Sequence, residues 1–208
     1  MAFTDFKSAD EVQKAYRINY TEEDFLPISS VSPPEQFIQD YEFSRQNFDI
    51  FSSEAARCEN VIYPILREAC KKFVEQYSIW SHKSISADSI LTGTPDYIFG
   101  ERSELGKNVI EYPLILIVEA KQNDFMKGWG QCLAELVAAQ KLNKTESLVV
   151  YGIVTDAELW QFGKLDGKHF TKNYSRVTIN DLSEVFGSVC SVVELAAKSS
   201  TVRASKGE

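Results

Sequence analysis

The sequence predicts a mixed α/β fold, α+β in its ordering, with a central mixed β-sheet flanked by helices. Three observations predict it. The stretch from Pro113 to Ala120 is almost continuously apolar, as a central strand covered on both faces requires. Apolar residues recur with a helical period at Ala55, Cys58, Ile62, Ile65, Leu66, Ala69 and Phe73. Strand-like and helix-like stretches then follow each other along the rest of the chain, the pattern of a sheet with helices packed on it.

Taken in order, residues 1–50 are rich in aromatic rings, among them Phe3, Phe6, Tyr16, Tyr20, Phe37 and Tyr41. Helices are expected near Ser8 to Tyr16 and Pro34 to Asn47, separated by a segment broken by Pro27, Pro33 and Pro34. The rings need burial, so 1–50 reads as an N-terminal arm packed on the main domain or on a second subunit, the latter giving a homodimer. The main domain is expected over 51–197. Ser52 or Ser53 can cap a long helix reaching about Tyr77, with a kink at Pro64. Strands are expected at Ile79 to Ile85, Thr94 to Phe99, Pro113 to Ala120 and Ser147 to Val154, with a polar hairpin loop at Glu101 to Asn108. Phe125 to Leu142 reads as a helix. Leu159 to Leu165 and His169 to Tyr174 form a hairpin turning at Asp166 and Gly167. A last helix runs from Asn180 to about Ala197, followed by a flexible tail over 198–208.

The formal net charge of −8 argues against a general nucleic-acid coat protein, which would favour a basic surface. An enzyme acting on DNA stays compatible with it, because part of the acidic charge can be metal ligands. The four cysteines, Cys58, Cys70, Cys132 and Cys190, lack zinc-ligand spacing and sit in apolar stretches. They point to a reducing compartment, hence a cytoplasmic location. The N-terminus shows no basic segment followed by an apolar run, so no signal peptide is expected. The longest apolar run, Leu114 to Val118, is too short for a bilayer, so no membrane association is expected.

Strand alternation puts Glu119 and Lys121 on one face, at the end of the most apolar strand. Such charges are seldom buried without a partner. Pro95 restricts Thr94 to extended geometry and leads directly into Asp96. If the two strands pair, Asp96 faces Glu119. Two carboxylates with one open face suit a hard cation, above all Mg²⁺, with Mn²⁺ as substitute. Lys121 beside them can position water or stabilise charge developing on a phosphate. The competing structural reading is a buried ion-pair network. His82 and His169 are isolated and read as surface or pocket histidines.

Pro95-Asp96 followed by Glu119-Ala120-Lys121 resembles the signature of the PD-(D/E)XK nuclease superfamily, and the element order from Glu54 to Val154 is similar to its restriction endonuclease-like core. The resemblance implies a metal-dependent nuclease hydrolysing DNA phosphodiester bonds, of restriction or repair type. Asp96 and Glu119 would then hold the metal, with the Ala120 carbonyl as a further ligand. Members often carry a glutamate on the first core helix. Similarity to type I restriction motor subunits favours Glu54, whereas the helix face favours Glu59, and both stay candidates. RecB-type domains place Q-x-x-x-Y on the following helix: Gln131 matches, while Glu135 stands where tyrosine is usual. A different class of function, a non-cleaving nucleic-acid- or protein-binding scaffold, shares the same fold expectation.

Overall fold

The computed structural model describes residues 2–27, 31–145 and 147–204. Its elements, in order, are α1 (Ala9–Tyr16), β1 (Asn19–Glu23), α2 (Glu35–Asn47), α3 (Glu54–Arg57), α4 (Tyr63–Cys70), β2 (Tyr77–Ser81), β3 (Ile85–Ser86), β4 (Thr92–Gly93), β5 (Tyr97–Arg102) and β6 (Ile110–Ala120). There follow α5 (Phe125–Leu142), β7 (Val150–Thr155), β8 (Leu159–Asp166), β9 (His169–Asn173), β10 (Val177–Thr178) and α6 (Leu182–Ala204).

The main sheet has eight strands in the order β1-β9-β8-β7-β6-β5-β2, with β10 pairing β8; β3 and β4 form a separate small hairpin. It is mixed: β6 pairs β7 parallel and β1 pairs β9 parallel, while the other pairs are antiparallel. The fold class is therefore a mixed α/β one with a large mixed sheet flanked by helices. One face carries Ile62, Leu66, Val189 and Val193 of α4, α6 and the turn before α4. The other carries Leu133 and Leu136 of α5 and Val12 of α1. Strand β6 is buried from Leu114 to Ala120, as its composition predicts, because both faces are roofed.

The N-terminal segment wraps this sheet. Phe3, Phe6, Val12 and Ile18 fill the α5 side, whereas Phe37, Tyr41 and Ile50 fill the opposite one. Strand β1, which the sequence reading did not anticipate, extends the sheet at its edge; all five of its residues are exposed, so no alternation marks it. Gly130 explains how α1 docks: a Cβ there would stand 2.6 Å from the Ser8 backbone nitrogen, so the two segments meet only because it is absent.

Several expected boundaries shift. The first core helix ends at Phe73 rather than near Tyr77, since Tyr77 already opens β2. Ser53 is its cap, accepting a hydrogen bond from the Ala56 N–H at 3.1 Å. Pro64 cannot donate to the preceding turn, and the helix answers with a π-turn over Cys58–Ile62, where the Tyr63 N–H reaches the Cys58 carbonyl. Strand β5 begins at Tyr97, not Thr94, which leaves Asp96 just before it; its far end runs on to Arg102. Helix α6 continues to Ala204 where a tail was expected from Lys198. The buried row Val189, Val192, Val193, Ala196 and Ala197 nucleates it, and extension of a formed helix is easy. Residues 205–208 of the expected tail lie outside the described residues. Among the described residues no helix is long and apolar enough to cross a membrane.

Candidate active site

The site forms where β5 begins and β6 ends. Tyr97 pairs with Val118, and the same antiparallel register carried one residue further sets Asp96 opposite Glu119. Asp96 is tied down there. Its Oδ2 accepts from the Ala120 N–H at 2.7 Å, and its backbone carbonyl accepts from the His82 N–H at 2.8 Å. Its Oδ1 lies 3.4 Å from His82 Nε2. Alternation along β6 places Leu116, Val118 and Ala120 toward α4 and α6, and Ile117 toward α5. Glu119 and Lys121 thus share the α5 side.

Lys121 Nζ stands 2.8 Å from Glu119 Oε1 and forms an ion pair with it. Neither Glu119 oxygen has a hydrogen-bond partner, although the residue is 1% exposed. Burial first, and then the charge of Asp96, push its carboxyl up to about 8. Burial also raises Asp96, against the Ala120 N–H and Lys121. For Lys121, burial lowers the ammonium, but Glu119, Asp96 and Glu54 outweigh it and hold it above its ordinary value. The close approach of α5 to this lysine depends on Gly128, where a Cβ would meet Val154 Cγ1 at 2.7 Å and Lys121 Cγ at 3.2 Å.

A pocket of about 490 Å³ opens on Asp96, lined by Glu54, Glu59, Tyr63, His82 and Tyr97 among others. Glu54 and Glu59 both reach it and both are exposed. Glu54 is the one whose charge bears on Asp96, Glu119 and Lys121. The π-turn supports this wall: the Tyr97 hydroxyl donates to the Cys58 carbonyl at 3.4 Å, and Tyr63 stacks on Tyr97 at 5.9 Å. Burial pushes the Cys58 thiol up to about 11, so it stays protonated and inert. All four cysteines are free and buried.

One expectation needs correcting. Glu119 does not share an open face with Asp96; it is enclosed behind it, with the Lys121 ammonium over it, because both faces of the β6 end are covered. Gln131 is likewise buried and touches the site indirectly. Its Nε2 lies 3.5 Å from Glu135 Oε1, and its own Oε1 has no partner. Glu135 had no assigned role in the sequence. It is fully enclosed, its Oε2 is unpartnered, and burial with the charges of Glu119 and Asp96 raises its carboxyl well above the ordinary range. A lone glutamate between Ala134 and Leu136 was a readable signal of it. His82, read as a surface or pocket histidine, does line the pocket; its carboxylate neighbour was not legible, because only the approach of the β2 end to Asp96 supplies it.

Among the described residues no group of three or more His, Cys, Asp or Glu side chains is arranged to hold a metal ion. The donor set is smaller, Asp96 and Glu119 with the Ala120 backbone, and two observations fit it to a cation. Glu119 Oε2 has no partner and Oε1 has only the Lys121 ammonium, and the carboxylates here outnumber that one ammonium. No family model matches the chain, and no curated protein matches it in sequence.

Proposed function

We propose that the chain is a Mg²⁺-dependent nuclease of restriction endonuclease-like fold that hydrolyses DNA phosphodiester bonds. The observation that carries this reading is the Glu119 carboxylate, buried beside Asp96 and met only by the Lys121 ammonium at 2.8 Å, with Oε2 unpartnered. The Lys121 ammonium offsets only part of the carboxylate charge gathered here; a buried charge short of full compensation costs on the order of several kcal/mol, and a cation would relieve that cost. The order of helix, three antiparallel strands, helix and a strand parallel to the third supports the PD-(D/E)XK comparison.

Asp96, Glu119 and the Ala120 carbonyl would hold the ion. Bound there, Mg²⁺ supplies Lewis-acid polarisation and a more acidic water. The protein's own groups do the rest. The Ala120 N–H fixes the Asp96 carboxylate in orientation, which pre-organises the pair. Lys121 offers a positive charge to an oxygen on which charge develops. Glu54 and His82 stand at the mouth of the pocket, where a substrate phosphate and its water enter. Gln131 and Glu135 back Glu119 from α5.

Supercoiled plasmid incubated with Mg²⁺ or Mn²⁺ tests the reading. The unsubstituted protein cleaves it, and Asp96→Ala and Lys121→Ala do not; equal products from all three would refute it. A second reading, a non-cleaving scaffold of the same fold, is favoured by the lack of a three-ligand cluster among the described residues and by the net charge of −8. Calorimetric titration with Mn²⁺ separates the two, since the scaffold releases no binding heat that Asp96→Ala abolishes.

A further inference from the structure

The first turn of α5 has two sides. Gly128 abuts Lys121, whereas Trp129, next in sequence, reaches strands β8 and β9. Its indole N–H donates to Gln161 Oε1 at 2.7 Å, and its ring lies 5.4 Å from that of Phe170. Tyr20 of β1 continues the row, 5.9 Å beyond Phe170. With Phe125 these rings line a pocket of about 430 Å³, a size suited to a small-molecule moiety.

Two cations serve this pocket, Lys172 and Arg176. Lys172 Nζ sits 5.4 Å from the Trp129 ring centroid. Both residues also line an adjoining pocket of about 350 Å³, whose wall includes Tyr174, exposed to 71%. One acidic residue lines each pocket, Asp10 the first and Glu22 the second, and each has a partner. Asp10 is paired with Lys14 at 2.8 Å, and Glu22 accepts the Tyr20 hydroxyl. Burial, then Arg176, lowers the Lys172 ammonium, with Glu22 acting against them. An anion placed between the two cations would relieve this.

We propose that the two adjoining pockets are a subsite for unpaired nucleotides of a single strand. Bases lie against Tyr20, Phe125 and Tyr174, and phosphates lie on Lys172 and Arg176. Cations on the divide between two ring-walled pockets match the alternation of phosphate and base in a strand better than they match a lone small ligand. A duplex keeps its base faces stacked inward and offers nothing to these rings. The connection to catalysis rests on the nuclease reading.

The test is fluorescence anisotropy with the full chain in EDTA, using a labelled oligothymidylate and the duplex of equal length. The single strand binds more tightly than the duplex. Tyr174→Ala, a change at an exposed side chain, weakens strand binding about 5- to 150-fold, the cost of one lost base stack. Arg176→Gln lowers the slope of log K against log salt by about 0.7, one phosphate contact. Preference for the duplex, or strand binding that ignores both substitutions, overturns the proposal. Cleavage is scored separately. Cleavage with unresponsive binding sinks the subsite alone, whereas responsive binding without cleavage sinks the nuclease reading and leaves the subsite standing.

Discussion

Replacing Glu119 by glutamine keeps its shape and removes its charge, and the consequence can be worked out. The carboxyl moves from 4.5 in the unfolded chain to about 8 in the fold. A group whose folded value is raised contributes stability that is complete below the unfolded value and is lost as pH climbs through the folded one. In the metal-free protein that loss reaches about 3 kcal/mol at pH 7 and about 5 kcal/mol at pH 9. These are ceilings, because Asp96 and Glu135 share the same field. Against a total stability of roughly 5–15 kcal/mol for a domain, the effect is large. Urea denaturation in EDTA from about pH 5 to pH 9 measures it. Wild type loses stability across this window and Glu119→Gln loses markedly less, so the curves diverge upward in pH. With Mg²⁺ the wild type regains stability, more so at high pH, where the carboxylate ligands are already deprotonated. The variant regains none. Parallel curves for the two proteins would refute the argument that the Lys121 ammonium leaves the buried Glu119 carboxyl short of full compensation.

Three further outcomes are expected. Lys121→Ala lowers the cleavage rate at least ~100-fold, as loss of a charge stabiliser does, while substrate affinity in EDTA changes little; single-turnover kinetics and anisotropy read the two separately. Gly128→Ala drives a methyl to 2.7 Å from Val154 Cγ1 and 3.2 Å from Lys121 Cγ, so thermal unfolding should show about 1–3 kcal/mol of destabilisation, with activity falling further than stability. Ser53→Ala removes the acceptor for the Ala56 N–H and costs about 1 kcal/mol by urea denaturation, leaving the pH dependence of stability unchanged.

What the sequence determined by itself is what local periodicity and covalent geometry control. The apolar run into Ala120 fits a covered strand, and Phe125 to Leu142 carries its helix in its own pattern. The hairpin turning at Asp166 and Gly167 was equally local. Glu119 and Lys121 were conspicuous because charges at the end of such a strand contradict their surroundings, and alternation alone put them on one side. The tertiary structure decided everything that depends on which faces meet. It roofed Glu119 so that its oxygens face the Lys121 ammonium alone rather than solvent. It brought His82 to Asp96 across a strand pair, and it buried Glu135 behind Glu119 because α5 lies flat on β6 and β7. It also made the aromatic arm an edge strand and two patches of core. An exposed strand such as β1 carries no hydrophobic signal, and its partner β9 lies about 150 residues away along the chain. Periodicity reads a residue against its neighbours in sequence; burial and charge are set by neighbours in space.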